Sequence, residues 1–390
     1  MNPEKSSGTN SRIDVADVLR GIAIGGIVII HFLEHLDFFE YPEWTPLDHT
    51  VWEVTFFLLA GKMYAVFALL FGFSFFIQDD NRRRRGEDFR LRFAWRMVLL
   101  MGLGAFDLMF YNGDILFLYA VCALPVIPFI RASDRVLKIA ALILLVQPVE
   151  LVLLVKGLVN PEATLPAIDP GPYFEIMTPV KVHGGFFDVA AVDFRCGIAG
   201  HFAWSLHCGR LTQIVMLFIS GILIGRRRLL CDEGGNMRIW KRVLAGGLVV
   251  SAVMIVLLKY VQPLFVNECV SHSLEAMFGM WRNLAMMLVI VSCVVLAFYR
   301  TKARAGLMKI APYGRMSLTN YIGQSVMGSL LFYGWGFGLY RYAGPAISLL
   351  MGIAVVLLQY LFCVTWLRYH RRGPFEELWS RATWIFSKNR

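Results

Sequence analysis

The residues of this chain best suited to chemistry crowd into one apolar stretch, DVLRGIAIGGIVIIHFLEHLD, residues 17–37. Within it His31, Glu34 and His35 spell H-x-x-E-H, the inverted zinc-peptidase motif. On a helix the i, i+4 spacing would set both imidazoles on one face, as two zinc ligands require. A catalytic zinc needs a third protein ligand as well. Asp107, Asp114 and Glu150 can be nominated, but no spacing singles one out. Glu34 and His35 also fall near a helix end, where polar residues need no special reason. His31 belongs equally to a second pattern: Arg20, ten mostly apolar residues, then the imidazole. That separation is about three helical turns, so both side chains project from one face, roughly 16 Å apart along the axis. The second pattern is the reading adopted here, with no metal expected.

A histidine so deep in an apolar run is costly in hydrocarbon, so it should face the bundle interior and mark a site. The alternative is a core histidine bonded to a neighbouring helix. Gly21 and Gly25 form a small-xxx-small pair that lets a backbone or a ligand come close. A ligand that needs a cation at one surface and a base roughly 16 Å deeper is a phosphate-bearing nucleotide with a long thin arm. Coenzyme A has that shape. Its phosphates would pair with Arg20 and neighbouring basic loops, and its pantetheine arm would carry an acyl thioester to His31. There the imidazole would act as general base on an acceptor hydroxyl or amine.

The elements that must hold these groups are membrane helices. Of the 390 residues 57% are hydrophobic and mean hydropathy is +0.58, above the usual apolar share of a soluble domain. Runs long enough to cross a bilayer occur at 18–38, 51–77, 93–111, 114–130, 137–158, 211–230, 243–265, 280–299, 316–335 and 345–367. The sequence therefore predicts an all-α polytopic membrane protein with about ten transmembrane helices. Asn112-Gly113 would form a tight hairpin between the third and fourth. Most of the 38 Lys and Arg lie in alternate connections, notably 82–85, 226–228, 300–309 and the tail from 368. This positive-inside bias puts both termini in the cytoplasm. It also accounts for the net charge of +10 without nucleic acid.

No cleavable signal peptide is expected, because the first apolar run carries Arg20 and His31 and lacks a small-x-small cleavage site. One domain, 1–390, is predicted, with an acidic-aromatic loop at 37–49, a long outer loop at about 160–210 and a cytoplasmic tail at 368–390. The long loop is rich in proline and aromatics, which favours an element lying at the outer interface and covering part of a site. Cys196 and Cys208 both fall in it, and an oxidising compartment would permit a disulfide there.

At this point the sequence resembles a known group. Arg20 and His31 in the first helix are similar to the R-x10-H motif of acyltransferase-3 type membrane enzymes. More broadly they resemble the transmembrane acyltransferase superfamily, which includes heparan-α-glucosaminide N-acetyltransferase. KMYAVFALLFGFSF (62–75), YNGDILFLYAV (111–121), GRMSLTNYIGQS (314–325) and RRGPFEELWSRATW (371–384) resemble the YeiB-like family, domain of unknown function 418. The resemblance covers nearly the whole chain. It implies a multi-pass protein of the bacterial cytoplasmic membrane that moves an acyl group, acetyl above all, from acyl-CoA to an envelope carbohydrate or lipid-linked acceptor. It also implies that Arg20 contacts the CoA portion and that His31 is the base.

The remaining polar residues keep two readings each. Asp114 is an N-cap or an acceptor contact. Asp107 or Glu150 could orient His31 through its second ring nitrogen. Lys62 neutralises a buried carboxylate or snorkels outward. Asn320 and Gln324, with Thr319, are helix-helix glue or site residues, and Arg315 is a second candidate for a CoA phosphate. The main rival function is a secondary transporter or flippase, although no paired halves are evident. A homodimer is compatible with all of this.

Overall fold

Long apolar runs become helices because a backbone shielded from water must satisfy its hydrogen bonds internally. The computed structural model describes residues 13–35, 42–160, 162–166 and 168–385, and among these there is no strand. The first half of the chain forms α1 (Asp14–Leu33), α2 (Pro46–Leu59), α3 (Met63–Arg83), α4 (Arg90–Asp107) and α5 (Ile115–Ala123), the last continuing as a 3-10 turn to Arg131. Next come α6 (Asp134–Leu145), α7 (Pro148–Val159), α8 (Gly171–His183), α9 (Phe186–Val192), α10 (Ile198–His207) and α11 (Arg210–Arg226). The chain closes with α12 (Asn236–Val256), α13 (Glu268–Arg300), α14 (Arg304–Met308), α15 (Ala311–Arg315), α16 (Ser317–Phe332), α17 (Pro345–Tyr369) and α18 (Pro374–Thr383).

Among the described residues five helical segments are long and apolar enough to cross a membrane: Asp14–Leu33, Pro46–Arg83, Asn236–Leu264, Glu268–Arg300 and Pro345–Tyr369. Counting each of two bent pairs as one span raises the number to seven. The chain is thus an all-helical membrane protein. The segments expected at 93–111, 114–130 and 316–335 fall outside this measure, because α4 is charged, and α5 with its 3-10 turn and α16 are short. The bends have local causes. Gln147, at φ 57°, precedes Pro148 and turns α7 by 42° from α6. Gly209, at φ 70°, turns α11 by 78° from the helices before it.

The basic connections gather at one end of the bundle, called the basic end below. Ion pairs tie them across the chain: Arg131 to Asp88, Arg226 to Asp134, Arg300 to Asp232 and Arg304 to Asp14. Outside the spans, hydrogen bonds from the Arg90 side chain and backbone, with Arg131 nearby, hold the Asp88 carboxyl down at about 2. α1 threads the centre, packed by α3, α15, α16 and α17, with Val15, Leu19, Ile24 and Val28 fully buried. Its Gly21 lies against Ile310 and Gly314 of the α14–α15 segment, so the close approach expected at this glycine is made by protein.

The far end carries a layer built from the long segment before α11. Its α8, α9 and α10, joined by a π turn at Asp193–Gly197, are anchored by Lys181. That ammonium is buried 3.7 Å from the Asp193 carboxylate and hydrogen-bonds Asn112 of the α4–α5 hairpin. Cys196 and Cys208 are free thiols. The segment between them is continuously helical, which sets them about 18 Å apart, beyond any disulfide. The loop at 37–49 begins among residues outside the described ones, as do the ends of the first apolar run and of the tail.

Because Lys181 and Asp193 are both buried, removing one leaves the other uncompensated. Lys181→Met should cost about 3–5 kcal/mol, read as a lowered melting midpoint in detergent. Lys181→Met/Asp193→Leu should recover most of it, and a double variant no better than the single one would refute the pairing.

Candidate functional site

The site is positioned by α16, a helix whose polar side chains each reach a different neighbour. Its first turn has no side-chain cap of its own. Glu376 of α18 supplies one, accepting from the Leu318 and Thr319 amides at 2.7 and 3.0 Å and from the Thr319 hydroxyl at 2.5 Å. This satisfies orphan donors of a helix terminus and places a carboxylate where the helix dipole favours one. Tyr321 accepts from the Ile115 amide at 3.0 Å, and the Ser325 hydroxyl donates to Asp107 at 3.0 Å. Gln324 contacts Nδ1 of His31 at 2.8 Å.

His31 is therefore held by Gln324, with the Tyr111 ring 4.7 Å and the Tyr321 ring 6.1 Å away, centroid to centroid. Neither Asp107 nor Glu150 orients it. Asp107 bonds Ser325, and Glu150 sits in the first turn of α7 against Gly209. The two ends of an amide are interchangeable in outline. The Gln324 amide nitrogen is the atom that faces Nδ1; reversed, its carbonyl would accept from Nδ1–H and Nε2 would offer its lone pair to the space beyond. That space is a cavity of about 870 Å³ at the far end, opening between α1, α2, α8, α10, α11 and α13.

His35 has a different fate. It lies past the end of α1 at φ 51°, buried, its Nε2 2.7 Å from the Ser348 hydroxyl and its ring stacked on Phe332. Leaving the helix breaks the i, i+4 register, so the two imidazoles have separate partners. Among the described residues no group of three His, Cys, Asp or Glu is arranged to hold a metal.

Two further spaces lie toward the basic end. One is a vestibule of about 540 Å³ lined by Arg82, Arg85, Arg96, Arg315, Arg371 and Arg372, with Trp379 and Gln78. Gln78 and Trp379 also line a mostly apolar slot of about 130 Å³, together with Arg20, Phe67, Leu116 and Tyr119. The Arg20 guanidinium is braced at the slot by Asp17 at 2.6 Å and Ser74 at 2.7 Å. Arg20 and Arg315 thus line adjoining spaces, with His31 beyond. Slot and cavity are parted by a thin wall: Leu116 faces the slot and Ile115 the cavity, and the Tyr119 hydroxyl donates to the Tyr64 carbonyl at 2.6 Å.

Asp114 and Asn320 have structural partners. Asp114 caps α5, accepting from the Leu116 and Phe117 amides at 3.0 and 2.7 Å. Asn320 donates to the Tyr313 carbonyl at 3.0 Å and accepts, through its own carbonyl, from Gln359 at 2.9 Å. Lys62 neither meets a carboxylate among the described residues nor snorkels out; it lines the cavity, 5.7 Å from the Phe57 ring centre. Other cavity residues were not singled out in the sequence: Arg210 and His201 near the end of the long segment, beside Trp204, and Arg282 within the apolar run of α13. The signal for Arg282 was present, since a charge inside a span is a site candidate.

Comparison with known proteins adds two matches that divide the chain. Residues 12–161 match the family described as heparan-alpha-glucosaminide N-acetyltransferase, catalytic. Residues 224–386 match the family described as protein of unknown function (DUF418). Arg20 and His31 fall in the first, Arg315 and Gln324 in the second. The uncharacterized protein YxaH of Bacillus subtilis (strain 168) is 27% identical over 405 residues, covering 97% of this chain and 95% of the relative. The uncharacterized protein YeiB of Escherichia coli (strain K12) is 28% identical over 380 residues, covering 94% and 95%. No solved structure matches.

The environments of the two histidines lead to a chemical test. Diethyl pyrocarbonate applied to the folded protein should modify His31 through the cavity well before His35, as read by fragment-ion mass spectrometry. Equal rates at the two rings would contradict the separation described.

Proposed function

We propose that this chain, YeiB-like along its length and similar through its first helices to an acetyltransferase catalytic region, is a membrane-embedded acyltransferase that uses acyl-CoA, acetyl-CoA above all. The basic end is cytoplasmic, the helices make about ten crossings with both termini inside, and the membrane is the bacterial cytoplasmic one. The acceptor is an envelope carbohydrate or a similar hydroxyl- or amine-bearing molecule that enters the far-end cavity.

The observation that carries this reading is the back-to-back placement of two differently built spaces. Six arginines line the vestibule, a setting for the phosphates of CoA. The slot leading inward past Arg20 is narrow and mostly apolar, which suits the pantetheine arm, and His31 waits on the other side of the Tyr64–Tyr119 contact. In the reaction the acceptor oxygen or nitrogen attacks the thioester carbonyl while His31 Nε2 takes its proton. The carbon–sulfur bond breaks, CoA departs as thiolate, and the imidazolium returns the proton to it. With its amide reversed so that the carbonyl accepts from Nδ1–H, Gln324 would hold the ring in the tautomer that makes Nε2 the base. Asp114 and Asn320 serve by fixing α5 and α16, and Arg315 joins the vestibule arginines on the phosphates.

Purified protein tests the reading through acetyl-CoA binding and thioester cleavage. His31→Ala should lower cleavage by about 10²–10⁴-fold and leave binding nearly intact. Arg20→Ala should weaken binding by about 10–100-fold, the worth of a charge-assisted hydrogen bond. Equal loss of binding in both variants would sink the division of roles. No binding by folded wild type would favour a transporter, with His31 as its proton-coupling group.

A further inference from the structure

The far-end cavity is built for negative charge. Three cations line it: Lys62 before α3, Arg210 at the start of α11 and Arg282 within α13. Lys62 is only 1% exposed. None of the three forms an ion pair with a carboxylate among the described residues. The Arg210 guanidinium lies between two rings, 3.9 Å from the Trp204 centre and 4.3 Å from that of Tyr64, which leaves its edges for hydrogen bonding. Nε of Arg210, Nε of Arg282 and Nε2 of the buried His201 have no partner. Arg282 has one long contact, to the Asn283 side chain at 3.4 Å.

The cavity's carboxylates are placed differently. Glu53 and Asp169 are exposed, and one Asp169 oxygen accepts from the Gly171 amide. Glu34, half-buried, follows α1 beside His31. Unpaired cations taken out of water are expensive, more so within a bilayer. Three of them around one space, with two of its three carboxylates exposed, are arranged for a counter-charge that arrives with the ligand. Arg210 and His31 line the same cavity, so that charge would be bound beside the base.

We infer that the molecule taken up by this cavity is an anionic glycan, bearing a carboxylate or phosphate that Lys62, Arg210 and Arg282 hold next to the hydroxyl or amine facing His31. The inference rests on the acyltransferase reading only in naming this molecule the acceptor. Guanidinium edges offer paired donors to either anion, and Trp204 and Tyr64 offer rings against which a sugar can lie.

Equilibrium binding tests it without acyl transfer. Glucose 1-phosphate, glucuronate and glucose are titrated into wild-type protein by calorimetry, with acetyl-CoA binding measured on the same preparation. At least one anionic sugar should bind saturably and glucose should not, and which anion binds decides between phosphate and carboxylate. Lys62→Gln and Arg282→Gln should each weaken that binding by about tenfold or more. Arg227→Gln, at the basic end, should leave it unchanged. Arg210→Gln should act likewise, but it removes packing on two rings, so the other two variants carry the test if it fails to fold. Equal binding of glucose, binding indifferent to Lys62 and Arg282, or no anion binding by protein that still binds acetyl-CoA would overturn the anionic acceptor and spare the acyltransferase. Anion binding in protein that binds no acyl-CoA would support the site and remove the acyltransferase.

Discussion

Inside a bundle without water, every polar group must find its partner on another helix, and α16 is where that constraint is met most densely. In a few turns it takes a cap from α18, a carboxylate from α4, an amide from α5 and an imidazole from α1. A displacement of α16 would leave several of these groups buried and unpaired together, each at about 1–3 kcal/mol. The register of α16 is thereby fixed, and with it the direction of the His31 ring. Glu376 is far from that ring in space and sequence, yet it belongs to the same chain of constraint. It closes the N-terminus of α16 and draws α18 against the bundle, where Trp379 donates to the Arg96 carbonyl at 3.1 Å. The same docking brings Arg371, Arg372 and Trp379 to the vestibule.

Much of this was legible in the sequence because membrane physics leaves strong marks. Hydropathy and the alternation of basic connections marked the helices and the basic end, and R-x10-H marked one helix as bearing both Arg20 and His31. The long segment at 160–210 was expected to cover a site, and Phe174, His201 and Trp204 do line the cavity. What could not be read was pairing between helices. The choice of Asp107, Glu150 or Gln324 as partner for His31 depends on which faces meet, and no local pattern encodes that. The same holds for Asn320 and Gln324, four residues apart and nearly on one face, of which only Gln324 reaches His31.

Spacing alone would have misled at His35. H-x-x-E-H assumes that the helix continues through its last residue, and here α1 ends at Leu33. A left-handed backbone at His35 turns its side chain to Ser348. The Cys196–Cys208 pairing that the sequence left open is excluded for the opposite reason, since a segment read as loop is helical and rigidly separates its thiols. In both cases the error lay in the assumed backbone rather than in the side-chain chemistry.

The thin wall between slot and cavity carries a further consequence. An open passage lined by arginines at one end and three cations at the other would conduct anions along the axis of the bundle, which an ion-tight membrane cannot tolerate. Tyr119 closes it with a hydrogen bond to the Tyr64 carbonyl, and Tyr64 is in turn bonded to Gln213 of α11. The Tyr119 ring is itself buried against Phe71 and Phe218. In the acyltransferase reading the pantetheine arm would displace that ring and fill the gap it opens, so the bundle would stay sealed while a thioester reached His31. The proposed chemistry and the membrane barrier would thus place the same demand on one tyrosine.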